Sequence, residues 1–293
     1  MRLVGSTVAR PAFDLDRRTL VTVAITGLAF LLLFWEPIVT LARDWWTDPE
    51  AGHGLLLGPL AVILAWRRGL VPERRGQPLL GFTLLFGAVL LRYLSGLAAE
   101  LFTMRMSMFG AAGALVIFFF GVRQLLRWWL PVLLLVLSVP IPEVVLGSLS
   151  FPLQLQASKL GAAMLEWRHV PVQLAGNVLQ LPDRSLFVTE ACSGLRSLTA
   201  LLALGLLMGG LWLRSISGRV ALLVLAIPVA MAINGLRIFV TGFLSYFVDP
   251  ALGEGVMHYS EGWVLFIVAL FILAGFTWLL TRVERLRGSK RER

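Results

Sequence analysis

Cys192 is the only cysteine in a chain of 293 residues, which excludes an intrachain disulfide and a multi-thiolate metal site. It follows Glu190 and Ala191 and precedes Ser193, Gly194, Leu195 and Arg196, at the predicted start of an apolar helix. Unpaired amide N–H groups and the helix dipole favour an anion at such a position. A helix N-terminus with a nearby cation lowers a cysteine pKa, and the thiolate so formed is the species that attacks a carbonyl. The bland alternative is a cysteine that only packs.

Two further groups supply what a thiolate needs for acyl transfer. Arg237, in AINGLRIFV, falls within a long apolar run, where a guanidinium is costly and faces a bundle interior or a water-filled cavity. Asn234 stands three residues earlier on the same helical face, able to orient it. The alternative for Arg237 is snorkelling to the interface, or a structural ion pair. His258 and Glu261 stand three apart in HYSEGW, at the edge of the last apolar run. Histidine gives or takes a proton near neutral pH, although an interfacial histidine beside Tyr259 and Trp263 also fits an aromatic belt. Nucleophile, proton carrier and fixed cation are the parts that acyl transfer uses. The three histidines, His53, His169 and His258, are too scattered for a ligand cluster, so neither a metal nor a cofactor is expected.

The elements that must position these residues are set by the bilayer. Hydrophobic residues make up 58% of the chain, charged residues 15%, and the mean hydropathy is +0.82. That leaves too little polar surface for a soluble globule of this size. The fold class expected is an all-α polytopic membrane protein with about eight transmembrane helices, over residues 20–42, 53–66, 79–97, 106–122, 130–146, 195–213, 220–248 and 262–280. The first run is too long, and lacks a small-residue cleavage site, for a removable signal peptide. One membrane-embedded domain, 1–293, is expected, with no soluble domain beside it.

The net charge of +9 does not point to nucleic acid, because the basic residues form no stripe with interleaved aromatics. They sit at the ends of apolar runs. Assigning connections alternately puts 18 of the 26 Lys and Arg residues on one side: the N-terminal tail, Arg67, Arg68, Arg74, Arg75, Arg123, Arg127, Arg214, Arg219 and the basic tail 282–293. That side is expected to be cytoplasmic, with both termini on it. The stretch 147–191 is then extracytoplasmic. Within it, 153–167 forms an amphipathic helix, with Leu153, Leu160, Met164 and Trp167 at helical spacing, expected to lie in the interface plane. Residues 172–188 alternate around two turn signals, Gly176-Asn177 and Pro182-Asp183, and predict a small β-hairpin before the sixth span. This topology carries Cys192 and His258 to the outer face and Arg237 toward it.

The motifs EACSGLRSL, NGLRI and HYSEGW, with WWTDPEAGHG before the second span and PIP with FPLQLQAS before the loop, resemble the exosortase/archaeosortase group of membrane-embedded cysteine transpeptidases. Each motif is short. Their order, spacing and shared membrane face make the combination specific, and it covers most of the chain from about Trp45. The resemblance implies that Cys192 is the nucleophile and that Arg237 and His258 complete a triad. It implies substrates that are secreted proteins with a C-terminal sorting tail: a Pro-Glu-Pro-like motif, a transmembrane helix and a basic cluster. These would be cut at the motif, held as a thioester and passed to an acceptor such as an amine, glycan or lipid. Glu190, Ser193, Arg196, Asn234 and Glu261 are supporting or substrate-binding candidates, and Arg196 is suited to hold Glu190 or an acidic substrate residue. The family's pattern before its His-Gly pair differs from Glu50-Ala51-Gly52 here, so His53 is a secondary candidate. Two other readings remain: an intramembrane protease releasing its product to water, and a transporter or lipid-binding scaffold with Arg237 in a polar pathway. No matching pair of broken helices, the usual mark of inverted-repeat transporters, is seen.

Overall fold

Proline and glycine punctuate the apolar runs, and the helices break where they fall. The computed structural model describes residues 17–48, 51–72, 75–182, 184–188, 195–248 and 256–291, which are mostly helical. They divide into two units, Met1–Pro140 and Ile141–Arg293.

In the first unit, α1 (Arg17–Leu33) and α2 (Trp35–Thr47) meet at 69° about Phe34, a fully buried ring stacked near Phe30. Pro37, in the first turn of α2, has no N–H to carry the ladder back across the break. α3 (Gly54–Arg68) stops at Gly69, and α4 (Pro78–Leu97) opens on a proline, whose missing N–H is harmless in a first turn. The N-terminus of α5 (Leu101–Phe120) is capped by Glu100, which accepts the backbone N–H groups of Phe102 at 3.0 Å and Thr103 at 2.7 Å, and the Thr103 hydroxyl. α4 and α5 run antiparallel in close contact: a Cβ on Gly81 would lie 2.5 Å from Phe118 Cα. Small residues allow membrane helices this approach. α6 (Val122–Arg127) and α7 (Trp129–Leu137) complete the unit.

The second unit is organised around α10 (Ile216–Phe247), which packs against α8 (Glu143–Trp167), α9 (Leu195–Trp212) and α11 (Val256–Arg291). Leu201, Leu222, Ala226, Ala230, Ala269 and Leu273 form the core shared by α9, α10 and α11. α8 lies against α10 through small residues; a Cβ on Gly161 would lie 2.5 Å from Ile238 Cγ2, and one on Gly235 would strike Leu160. Between α8 and α9, β1 (Gln173–Ala175), β2 (Val178–Leu181) and β3 (Arg184–Phe187) form an antiparallel meander in the order β1-β2-β3. Ala175 pairs with Val178 across a two-residue turn whose first residue, Gly176, has φ +65°, a conformation glycine takes without strain. Leu179 and Leu181 turn inward to join Ala157, Leu165, Val170, Val188 and Ile238 in a second core.

The sheet enlarges the expected hairpin by one strand. Both turn signals are used, and the third strand is residues 184–187 at the end of the alternating segment. The 153–167 segment is helical, as expected, but within a longer α8. Its Leu160 and Trp167 stay exposed, the latter at 76%, while Ala157, Ser158, Gly161, Ala162 and Leu165 form the buried stripe.

The expectation of about eight spans is met only in part. Among the described residues, α4, α5, α10 and Trp263–Arg287 of α11 are long and apolar enough to cross a membrane, and the bent α1–α2 pair makes five if counted as one span. The reasons are local. The expected span 53–66 is the 15-residue α3, which at 1.5 Å per residue covers only about 22 Å of a core about 30 Å thick. The expected span 130–146 is split, because α7 ends at Leu137 and the chain passes Pro140 and Pro142 before α8 begins at Glu143. The expected span 195–213 is α9, 18 residues from Leu195 to Trp212, about 27 Å at 1.5 Å per residue.

Candidate active site

Arg237 sits ten residues before the end of α10, about 15 Å from it at 1.5 Å per residue. It is half-buried, and its Nε is withdrawn from solvent. Asn234, one turn earlier, and Thr241, one turn later, are buried on the same side of the helix, and none of these three polar groups is without a partner. The polar stripe runs on to the buried Ser245. Ile238, next to Arg237, is fixed against Gly161 of α8 and belongs to the core under the sheet.

α9, α10 and α11 run up, down and up. Only residues 213–215 separate α9 from α10, and at that end Glu284 of α11 accepts the backbone N–H groups of Arg214 at 2.9 Å and Ser215 at 3.1 Å. The Ser215 hydroxyl also donates to Glu284 and accepts Gly218 N–H at 3.0 Å, which caps α10. With those termini fixed, the N-termini of α9 and α11 and the C-terminus of α10 share the opposite end of the three-helix group. Ile233 of α10 shares its core with Leu198 and Leu201 of α9. Counted from the 213–215 turn at 1.5 Å per residue, Arg237 lies about 31 Å along α10 and the start of α9 about 26 Å along that helix.

His258 and Glu261 are the third and sixth residues of α11. Arg196 is the second residue of α9. Cys192, Glu190 and Ser193 lie outside the described residues, in the connection between β3 and α9. The described chain up to that connection is firmly held: Val188 N–H donates to the Asn177 carbonyl at 3.0 Å, and Asn177 Nδ2 donates to the Val188 carbonyl at 3.1 Å. Asn177, read from sequence only as a turn residue, thus fixes the strand end four residues before Cys192.

His53 belongs to the first unit. Its ring is half-buried just before α3, with Nε2 3.1 Å from the Leu137 carbonyl. Trp45 makes a parallel tie, Nε1 donating to the Ser138 carbonyl at 2.8 Å, while its indole lies where side chains on Gly54 and Gly58 would be. Together they bind α2 and α3 to the end of α7. Sequence reading missed a half-buried ion pair in the same unit: Arg105, 2% exposed, donates from Nη2 to Asp44 Oδ2 at 2.7 Å. Arg105 precedes the apolar run 106–122 and reads there as a boundary residue, and nothing in the sequence links it to Asp44, 61 positions away.

A family model described as transmembrane exosortase (Exosortase_EpsH) matches residues 45–275. The chain belongs to the transmembrane exosortase family. The matched range begins at Trp45 and takes in the sheet, Cys192, Arg237, His258 and Glu261. At the level of that family the chain is a membrane-embedded, exosortase-type sorting transpeptidase. Neither a curated protein nor a solved structure matches it.

Proposed function

We propose that this exosortase uses Cys192 as the nucleophile of a transpeptidation on secreted proteins that carry a C-terminal sorting tail. The observation that carries the reading is the gathering, at one end of one three-helix group, of the α9 N-terminus next to Cys192, the α11 N-terminus bearing His258, and the α10 stretch bearing Arg237. His258 takes the thiol proton. The thiolate adds to the scissile carbonyl carbon, and the tetrahedral oxyanion is met by the Arg237 guanidinium, with Asn234 holding that side chain in line. The C–N bond then breaks, the leaving amine takes the proton from His258, and a thioester remains on Cys192. An acceptor amine, glycan or lipid nucleophile attacks the thioester, passes its proton to His258 and expels the thiolate. Arg196 and Ser193 flank the nucleophile in sequence, Arg196 to hold Glu190 or an acidic substrate residue, and Glu261, three residues after His258, supports it. His53, whose Nε2 lies 3.1 Å from the Leu137 carbonyl, stays a secondary candidate in this reading.

In this reading the substrate's own transmembrane helix enters laterally from the lipid. The protein lies in the cytoplasmic membrane with both termini inside, and the reacting end faces outward, as the concentration of Lys and Arg at the other ends favours. Processing assays decide it. When Cys192→Ala is co-produced with a tailed substrate, the substrate should stay uncut while the variant inserts in the membrane at wild-type level; full processing by the variant sinks the proposal.

A further inference from the structure

The basic cluster where α4 begins and α5 ends plays no part in the reaction above, and its arginines divide into two kinds. Arg68 and Arg127 are used by the fold: Arg68 Nη1 donates to the Arg127 carbonyl at 2.8 Å, Arg127 Nε donates to the Arg68 carbonyl at 2.7 Å, and the Arg68 guanidinium lies 5.5 Å above the Trp129 ring. Arg75 and Arg123 instead line a cavity of about 280 Å³, together with Gln77, Phe120, Gly121 and Val122. Among the described residues neither forms an ion pair with a carboxylate. Glu73, the acidic residue nearest in sequence, lies outside them.

The cavity is rigidly built. Gly121 has φ +83°, and a Cβ there would strike the Arg75 carbonyl; a Cβ on Gly76 would lie 2.5 Å from the Phe118 carbonyl oxygen. Gln77 N–H donates to the Ile117 carbonyl at 3.1 Å. Fully buried Gln124 accepts Val71 N–H at 2.8 Å and donates to the Gly69 carbonyl at 3.2 Å, which fixes the turn after α3. Two exposed arginines thus line one cavity whose backbone is fixed, and like charges so placed favour the entry of an anion. A guanidinium fork matches phosphate oxygens.

Depth identifies the anion's source. α4 and α5 are both long enough to span, so the place where one starts and the other stops lies at the level of lipid headgroups. Directly beyond it Leu79, 82% exposed, Leu80 and Phe82 offer apolar surface to acyl chains. We propose that Arg75 and Arg123 bind the phosphate of an anionic phospholipid, whose chains lie along the start of α4. Basic pockets between membrane helices take such headgroups.

Native mass spectrometry of the full-length protein released from nanodiscs of equal phosphatidylglycerol and phosphatidylcholine tests this. The wild type should retain phosphatidylglycerol in preference. Arg75→Gln combined with Arg123→Gln should lower that preference roughly thirtyfold, at about fivefold for each arginine. Arg123→Gln alone serves if the double variant does not fold, and Arg67→Gln should leave the preference unchanged. Equal retention of the two lipids by the wild type, or an unchanged preference in folded variants, overturns the proposal. Displacement of the lipid by millimolar inorganic phosphate would assign the cavity to soluble phosphate and overturn the lipid assignment.

Discussion

At the scale of single residues, the proposed chemistry rests on a guanidinium in an apolar helix. In that reaction Arg237 presents a planar fork to the oxyanion, whereas a lysine keeps the charge and loses the fork. Arg237→Lys should therefore cut the processing rate by roughly 10²-fold, the scale of losing one oxyanion donor, with the protein still folded; near wild-type turnover in a single-turnover assay would show that Arg237 does not meet the oxyanion. Arg105 makes a contrasting case. Arg105 itself is nearly closed to solvent while Asp44 keeps about a third of its side-chain surface, so Arg105→Ala leaves a partly hydrated carboxylate and should cost about 1–2 kcal/mol of stability. Thermal unfolding in detergent measures this, and replacing both partners with apolar residues should recover most of the loss. The two arginines were unequally legible. Arg237 announces itself because it falls deep within a long apolar run, with six hydrophobic neighbours in AINGLRIFV alone, while Arg105 sits at the start of an apolar run and acquires meaning only from a partner 61 positions away.

At the scale of elements, caps and close approaches do the positioning. The hydrogen bond from the Thr103 hydroxyl holds the Glu100 carboxyl below its ordinary range, against the opposing effect of burial and with help from the Thr103 and Phe102 amides and from Arg105. A carboxylate whose folded pKa is lowered contributes stability that is fully present above its unfolded pKa and is lost as pH falls through the folded value. The melting temperature should accordingly hold from neutral pH down to about 5 and then decline, and Glu100→Gln should remove that part of the decline along with about 1 kcal/mol of capping. An identical acid profile in the variant would remove Glu100 from the account. The α8–α10 contact admits a second test: Gly161→Ala drives a methyl against Ile238, a stiff β-branched neighbour beside Arg237, and should cost about 1–3 kcal/mol while slowing processing. Unchanged stability and rate would mean that α8 does not hold α10 in place. Periodicity gave α8 its helix but not its seam, because the face that packs consists of Ala157, Ser158, Gly161 and Ala162, which carry little hydrophobic signal. The third strand was nearly readable: Pro182 marked a second turn, and residues 184–187 followed it. Span number was the hardest to read, since apolar composition does not distinguish a full crossing from helices as short as α3 and α7.

At the scale of the whole molecule, exposed apolar side chains along α4, α10 and α11, Leu79, Phe82, Phe86, Val224 and Phe271 among them, are the surface that lipid covers. The membrane class was plain in composition, and the family was legible in a few short motifs because their order survives where single motifs carry little weight. Geometry adds why those motifs are spaced as they are: two helix N-termini and a deep arginine reach one end of the same three-helix group, although more than sixty residues separate Cys192 from His258. The central claim is that Cys192 carries the substrate as a thioester. Intact-protein mass spectrometry after mixing the membrane-reconstituted enzyme with a tailed substrate, without acceptor, tests it most directly. The account expects an acyl adduct on Cys192, released by neutral hydroxylamine and missing from Cys192→Ala; substrate cleavage at the wild-type rate by Cys192→Ala, with no such adduct on the wild type, would contradict it.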